Sequence, residues 1–353
     1  MNAYDGSLRA DSISALCPGT FLKEDVYAFD STLLLAERGT FLDDENLERL
    51  RNLNDKNDLI YTTTTGSSSD HIDAKRHILE KKTGYTNLVN ETVELFAGIA
   101  TDKTVEHEAV LDMSHNLSNR IETVSPATIF SLINALAPVD EYLQRHCVNT
   151  SLLNGLIGRW LGLAKNTVDR LVLIGLLHDC GKALMPPSIL NANRRLTGAE
   201  FEVIKMHTVR SYELLLEFPE AIRRAARSHH EKVNGTGYPD RLSFNDIPIE
   251  ARITALSDVY DAMVSRRSYK EPRSPFSIMA LLTKLAGEEL DPKLVSLFTK
   301  HMPLELVGKQ VMLSDKRIGV VFSCELDNIE YPVVNVDGQE IETNQDLYCT
   351  YMC

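Results

Sequence analysis

The stretch SHHEKVNGTGYPDR, residues 228–241, sets His229 and His230 side by side ahead of a glycine turn. Upstream, LVLIGLLHDCGK (171–182) closes an apolar run with His178 and Asp179. At helical spacing His178 falls one turn after Ile174 and two turns after Leu171, on the apolar face. His146 lies two turns before Leu153, His207 three residues after Ile204, His229 two turns after Ile222 and His230 one turn after Ala226. Asp258 shares a face with Ala251, Ala255 and Ala262, small residues that permit close approach. Any one of these histidines alone reads as a core residue bonded to a carbonyl. Together they are expensive, because an unsatisfied buried polar group costs about 1–3 kcal/mol and a buried carboxylate costs more. Convergence on metal relieves all seven at once. Seven nitrogen and oxygen ligands exceed one tetrahedral ion and suit two octahedral ions sharing a carboxylate, for which Asp179 is placed. Without sulfur in the set, iron or manganese is expected rather than structural zinc. Two such ions activate water at neutral pH and clamp the oxygens of an in-line displacement at phosphorus.

Helices must hold these residues. LLNGLIGRWLGL (152–163), AEFEVIKMHTVRSYELLLEF, EAIRRAARSHHE and EARITALSDVYDAMVSRR each read as one helix, and no strand-like alternation interrupts residues 138–301. Residues 1–61 read as a small α+β domain, in which DVYAFDSTLLLAERG forms strand, turn and strand and DDENLERLRNL forms a helix. TTTTGSSSD (62–70) reads as a linker, followed by a helical connecting segment to residue 137. From 302 to 353 the texture becomes β-rich, with turns at SDKR and VDGQ. The fold class expected is mainly α, with an α+β segment before the helical domain and a β-rich one after it.

The chain has 353 residues, 43% apolar and 25% charged, with a net charge of −13. Such acidity argues against tracking long nucleic acid. It allows a small phosphorylated ligand where divalent ions reverse the local field. No apolar run approaches a membrane span, and MNAYDGSLRADS lacks the pattern of a secretory signal, so a cytoplasmic location is expected. Cys17, Cys147, Cys180, Cys324, Cys349 and Cys353 form no CxxC pair and read as free thiols, with Cys147 and Cys180 as core fillers.

HDCGK (178–182) resembles the signature of HD-superfamily phosphohydrolases. HHEKVNGTGYP (229–239) and DVYDAMVSRRSYK (258–270) resemble the HD-GYP subfamily, and LTGAEFEVIKMH and LDPKLVSLF fit the same order. The resemblance covers about residues 138–301. It implies an all-helical domain that binds divalent metals and hydrolyses cyclic di-GMP to linear pGpG or on to GMP. By position it makes His146, His178, Asp179, His207, His229, His230 and Asp258 the metal ligands, with Asp179 and Lys182 catalytic. It sets Lys182 on a phosphate oxygen, Arg267 and Lys270 on the phosphates of the ligand, and Tyr238 beside the dinucleotide. Gly235 and Gly237 would then stand at the rim, leaving room for a nucleotide, with Pro239 stiffening the exit.

Three positions qualify the resemblance. Asn234 stands where the family usually has Asp, and is expected to cap the turn. Glu231 is expected either to orient a histidine or to be a solvated helix-end acid. Some family members hold a third ion through a glutamate one turn before the first histidine. Tyr142 occupies that place here, with Asp140 and Glu141 off the face after Pro138, so two ions per chain are expected. A hybrid cyclic GMP-AMP as substrate and a catalytically silent cyclic-dinucleotide receptor are the rival functions, and a di-iron redox protein would leave Lys182 unexplained. A homodimer, and protein partners through the N-terminal domain, stay open.

Overall fold

The computed structural model describes residues 8–12, 20–21, 26–28, 34–36, 41–42, 59–63, 68–123, 126–134, 142–192, 194–264 and 274–352. Arg267, Lys270, Asp140, Glu141 and the DDENLERLRNL segment lie outside the described residues. The chain divides into two compact units. Met1–Gly84, Val307–Cys324 and Tyr331–Cys353 make up one, and Tyr85–Leu306 with Glu325–Glu330 the other.

The first unit is β-rich. Strands β1 (Leu8–Ser12), β3 (Val26–Ala28), β4 (Leu34–Ala36) and β6 (Leu59–Thr63) form an antiparallel sheet in the order β1-β6-β3-β4, and β2 (Thr20–Phe21) pairs with β5 (Phe41–Leu42). β3 and β4 pair antiparallel, as the two expected strands. A second sheet has the order β10-β9-β8-β7-β11, built from β7 (Gln310–Leu313), β8 (Ile318–Ser323), β9 (Val333–Val336), β10 (Gln339–Glu342) and β11 (Cys349–Met352). The VDGQ turn joins β9 to β10 through Asp337 and Gly338, both at positive φ (51° and 83°), which suits a two-residue hairpin loop. The TTTTGSSSD run is not a free linker throughout. Its β-branched Thr62 and Thr63 belong to β6, and Ser68 and Ser69 open helix α1 (Ser68–Asp102).

The second unit is helical: α2 (His107–Thr123), α3 (Pro126–Asn134), α4 (Tyr142–Trp160), α5 (Lys165–Leu177), a 3-10 turn (Cys180–Leu184), α6 (Pro187–Leu190), α7 (Gly198–Lys205), α8 (His207–Leu214), α9 (Glu220–Ser228), α10 (Ile249–Val264), α11 (Pro275–Leu285) and α12 (Pro292–Leu306). Two helices stop earlier than their periodicity suggests. AEFEVIKMHTVRSYELLLEF is broken at Met206 into α7 and α8, and EAIRRAARSHHE is helical only to Ser228. Thr197 and Glu200 close a capping box on α7, and Ser274 caps α11 ahead of Pro275. The aromatic core brings together Phe130, Trp160, Tyr260 and Phe298, with the Phe130 ring 6.2 Å from both Trp160 and Tyr260.

Helix α4 packs tightly on α5. Ser151 Oγ donates to the Val172 carbonyl (2.6 Å), and Asn154 Nδ2 donates to Leu171 O and Thr254 Oγ1. That contact sets His146 of α4 beside His178 at the end of α5. Ser211 of α8 staples the following turn, accepting from Gly181 N (2.9 Å) and donating to His178 O (3.0 Å). A Cβ on Gly181 would stand 2.1 Å from the His207 carbonyl oxygen, so only glycine allows α8 to come this close.

Candidate metal centre

His178, Asp179, His207 and His229 are buried, and each reaches the centre from a helix end. His178 caps α5, His207 opens α8 and His229 caps α9. Each ring uses the same local device. Nδ1–H donates to the carbonyl three residues earlier: Gly175 (2.8 Å), Ile204 (2.6 Å) and Ala226 (2.8 Å). Carbonyls in the last turn of a helix have no amide partner of their own. The bond therefore satisfies an orphan acceptor and fixes the tautomer with a lone pair on Nε2.

Those three Nε2 atoms and Asp179 Oδ1 are buried with no hydrogen-bond partner among the described residues. His207 Nε2 stands 3.1 Å and His229 Nε2 3.7 Å from Asp179 Oδ1. Donor atoms that share one ion at bond lengths of about 2.1 Å lie about 3 Å apart at right angles. The four orphans thus fit a metal ion, and they fit little else in a protein core. Two overlapping groups offer one ligand atom each within 4.8 Å of one another: Asp179, His207, His229 and His230, and His146, His178 and Asp179. Asp179 belongs to both, as a bridging carboxylate would.

His230 is less enclosed than its spacing suggested, with its side chain 23% exposed, and its Nδ1 is 3.7 Å from Asp258 Oδ2. Asp258 falls outside both groups, but its Oδ1 lies 2.9 Å from His146 Nε2, the separation of two atoms that share one ion. Burial drives His229 well below the usual histidine range, helped by the charges of His230 and His178. Burial takes His230 down to about 3. Both rings are neutral near pH 7 and can offer lone pairs. Burial also opposes charge on Asp179, but Lys182 and His178 outweigh it and hold the carboxyl well below its usual range. Asp258 is held low in the same way by its hydrogen bond to His146. Lys182 Nζ lies on Asp179 Oδ2 (2.5 Å), at the edge of the centre. Burial pushes the thiols of Cys147 and Cys180 up, Cys180 to about 12, and neither joins a ligand group.

The glycine turn packs closely on the chain before it. A Cβ on Gly237 would meet Lys232 N at 2.4 Å and His230 O at 2.6 Å, so the missing side chain makes room for the chain's own backbone. Gly235 sits at φ +77°. Asn234 Oδ1 caps the turn as expected, accepting from Thr236 N (3.0 Å) and Oγ1 (2.6 Å). Glu231 orients no histidine. It is buried and accepts from Asp240 N (2.6 Å) and Leu242 N (2.9 Å), which clamps the loop that carries Tyr238. Tyr238 stacks on His230 with ring centres 4.8 Å apart. Next to it, Phe201 is 46% exposed, its ring 6.4 Å from Tyr238, and Lys205 Nζ stands 5.0 Å and 5.6 Å from the two rings.

The spacing argument missed Asp261, which is fully buried. Its Oδ2 accepts from His146 Nδ1 at 2.6 Å, and its Oδ1 accepts from Asn149 Nδ2 at 2.7 Å. Burial opposes charge on His146, but Asp258 and Asp261 together raise its pKa to about 9. Asp261 follows Asp258 by three residues on α10, a spacing that sets both on one face and could have revealed it.

Comparison with known proteins agrees with this geometry. A cyclic di-GMP phosphodiesterase response regulator of Xanthomonas campestris is 34% identical over 57% of this chain and 55% of its own length. A 3′3′-cGAMP-specific phosphodiesterase of Vibrio cholerae is 33% identical over 57% of this chain and 39% of its own. The chain therefore spans about half or less of these relatives' lengths. An HDG"Y"P protein of Bdellovibrio bacteriovorus shares the fold, with a TM-score of 0.50 at 16% identity over 84% of this chain and 99% of its own. Residues 130–294 match the HD domain family. They enclose every histidine and aspartate of the centre, and this part of the chain is a mainly helical HD domain.

Proposed function

We propose that the chain is a metal-dependent phosphodiesterase that hydrolyses cyclic di-GMP to linear pGpG, and pGpG further to GMP. The observation that carries this reading is the meeting of three buried, partnerless imidazole nitrogens with the partnerless Asp179 oxygen. Its supports are the domain match and relatives named for hydrolysis of cyclic dinucleotides. In this reading His146, His178, Asp179, His207, His229, His230 and Asp258 would hold two divalent ions, iron or manganese, with Asp179 common to both groups of ligands. Bound ions of this kind supply Lewis acidity and activate water at neutral pH. Lys182, beside Asp179, donates to a non-bridging phosphate oxygen as negative charge grows there. A water oxygen bonds to phosphorus, the bond from phosphorus to the 3′ oxygen breaks, and the proton lost by the water ends on that 3′ oxygen. Arg267 and Lys270 are assigned to the phosphates. Phe201 and Tyr238, set edge to face, offer aromatic rings on which a purine can stack, with Lys205 over both rings.

Residues 138–301 act as the catalytic domain, with 62–137 connecting it to the segment 1–61 and with 302–353 following it. No helix among the described residues is long and apolar enough to cross a membrane. The free buried thiols Cys147, Cys180 and Cys349 fit a reducing compartment, and we assign the protein to the cytoplasm. The Vibrio relative's name favours a hybrid cyclic GMP-AMP as the second substrate to test.

The test is chromatography of products from each cyclic dinucleotide, with protein loaded with Mn²⁺ or with Fe²⁺ under anaerobic conditions. Linear pGpG that appears with metal and disappears with chelator is expected. Intact cyclic di-GMP after prolonged incubation with either ion, despite binding, would make the protein a receptor. Full turnover by metal-free protein would end the metal mechanism.

A further inference from the structure

Five histidines serve the centre from within the described helices and turns, and three of them satisfy Nδ1 with the carbonyl three residues back at a helix end. His146 has no such option. It lies inside α4, one turn past the helix start, where backbone carbonyls are taken by the helix's own amides. Its Nδ1 instead donates to Asp261 of α10. The support does not stop there. Asp261 Oδ1 accepts from Asn149 Nδ2, one turn along α4 from His146 and fully buried. Asn149 Oδ1 in turn accepts from the Tyr85 hydroxyl of α1 at 2.6 Å. Every polarity in this chain is fixed. The carboxylate can only accept, so the Asn149 amide must point its NH2 inward and its oxygen toward Tyr85, which must donate.

We propose that Tyr85, Asn149 and Asp261 are positioning residues for the metal centre, which together hold His146 in the tautomer and orientation that present Nε2 to a metal ion. The inference rests on the metal reading of the site and adds to it a residue 61 positions upstream of His146, on the long helix α1. A carboxylate that holds a ligating imidazole raises its basicity and fixes its ring, and loss of such a partner costs about 10–100-fold in metal affinity. Asp261 does this directly. Tyr85 acts one step further out. Without its hydroxyl, the Asn149 amide is free to rotate and offer its oxygen to Asp261, which would oppose two acceptors. The effect of Tyr85 must therefore pass entirely through Asp261.

The test needs no substrate. Full-length wild type, Tyr85→Phe, Asp261→Asn and the double variant are made metal-free and titrated with Mn²⁺ against a competing chelator. Co²⁺ absorption spectra follow coordination, and melting of the metal-free proteins follows the fold. In Asp261→Asn the new amide can accept from only one of its two donors, so about tenfold or greater loss of affinity is expected for one equivalent, with a changed Co²⁺ spectrum. Tyr85→Phe should weaken the same equivalent several-fold, leave the other unchanged and leave the metal-free melt close to wild type. In the Asp261→Asn background Tyr85→Phe should add nothing. Wild-type affinity in Tyr85→Phe would overturn the proposal, as would an effect that adds in full to that of Asp261→Asn. A Tyr85→Phe protein whose metal-free melt falls along with both affinities would make Tyr85 a packing residue and also overturn it. If wild type binds Mn²⁺ yet hydrolyses no cyclic dinucleotide, the function fails while the positioning role is still decided by the titration.

Discussion

Gly181→Ala adds one methyl group next to the centre and tests how the centre is assembled. The new Cβ would stand 2.1 Å from the His207 carbonyl oxygen, 2.6 Å from Ser211 N and 2.9 Å from Ser211 Oγ, where ordinary contact begins at 3.4 Å. Two of the three obstacles are backbone, so no side chain can swing away. The 3-10 turn and the start of α8 must separate by about an ångström or more, whereas metal ligands hold their distances within about 0.2 Å. The same movement strips Ser211 from its bonds to Gly181 N and His178 O. Overpacking of this kind costs about 1–3 kcal/mol, or a drop in Tm of about 2–12 °C for a domain this size. His207 belongs only to the group with His229 and His230, while His146 and His178 form the other with Asp179. The variant should therefore lose about one equivalent of metal in elemental analysis, and most of its turnover, while a weaker equivalent persists. Full metal content with an unchanged melt would refute the account of how α8 is docked.

Glu231→Ala leaves two loop amides without their acceptor, and should cost about 2–5 kcal/mol in denaturant unfolding while metal content stays near wild type. Metal loss without that destabilisation would return Glu231 to a ligand-orienting role. Phe201→Ala should raise KM for a cyclic dinucleotide several-fold and leave turnover of bis(p-nitrophenyl) phosphate, which lacks a purine, unaltered. Equal effects on both substrates would remove the aromatic rim from recognition. Arg227 donates two bonds of 2.7 Å to Asp240 and holds its carboxyl below the usual range. A depressed carboxylate stabilises above its ordinary pKa of about 3.9 and loses that contribution as pH falls through the folded value. Asp240→Asn should therefore melt slightly below wild type at pH 7, by less than about 1 kcal/mol, with the gap closing below pH 4; a gap constant with pH would exclude the ion pair. Tyr142 opens α4 and stacks on His146 with ring centres 5.8 Å apart, so elemental analysis should return two metals per chain and Tyr142→Glu should raise the number. Three in the unaltered protein, with anomalous scattering beside His146, would overturn the count.

The parts of the site that could be read from sequence are those whose partners lie close along the chain. His178 with Asp179, and His229 with His230, are adjacent pairs at the ends of apolar helical faces, and Asp258 sits on a face of alanines. What escaped depends on partners brought together by packing. Glu231 bonds amides nine and eleven residues away, around a turn whose path no periodicity specifies. Gly237 is glycine because residues 230–232 wrap against it, a contact indistinguishable in sequence from room left for a ligand. Tyr85 is joined to Asn149 across 64 residues. The same division holds for the fold. The β9–β10 hairpin could be read from VDGQ because a two-residue loop is local, whereas the five-strand order that sets β11 beside β7 could not.

The helix breaks at Met206 and Ser228 were missed for a reason that concerns the chemistry itself. Neither KMH nor SHH contains glycine or proline, and the apolar period runs on through both. The histidine replaces the usual stop signal. By accepting a bond from the His207 or His229 ring, the carbonyl of Ile204 or Ala226 no longer depends on an amide of the next turn, because one satisfied acceptor is exchanged for another. The helix can then end where the imidazole must turn inward. Replacing His207 or His229 with an apolar residue would thus remove two things together, a lone pair facing Asp179 and the acceptor exchange that ends the helix. Asparagine and glutamine are the more informative replacements, since only a side chain that donates to the same carbonyl separates the loss of the ligand from the loss of the helix end.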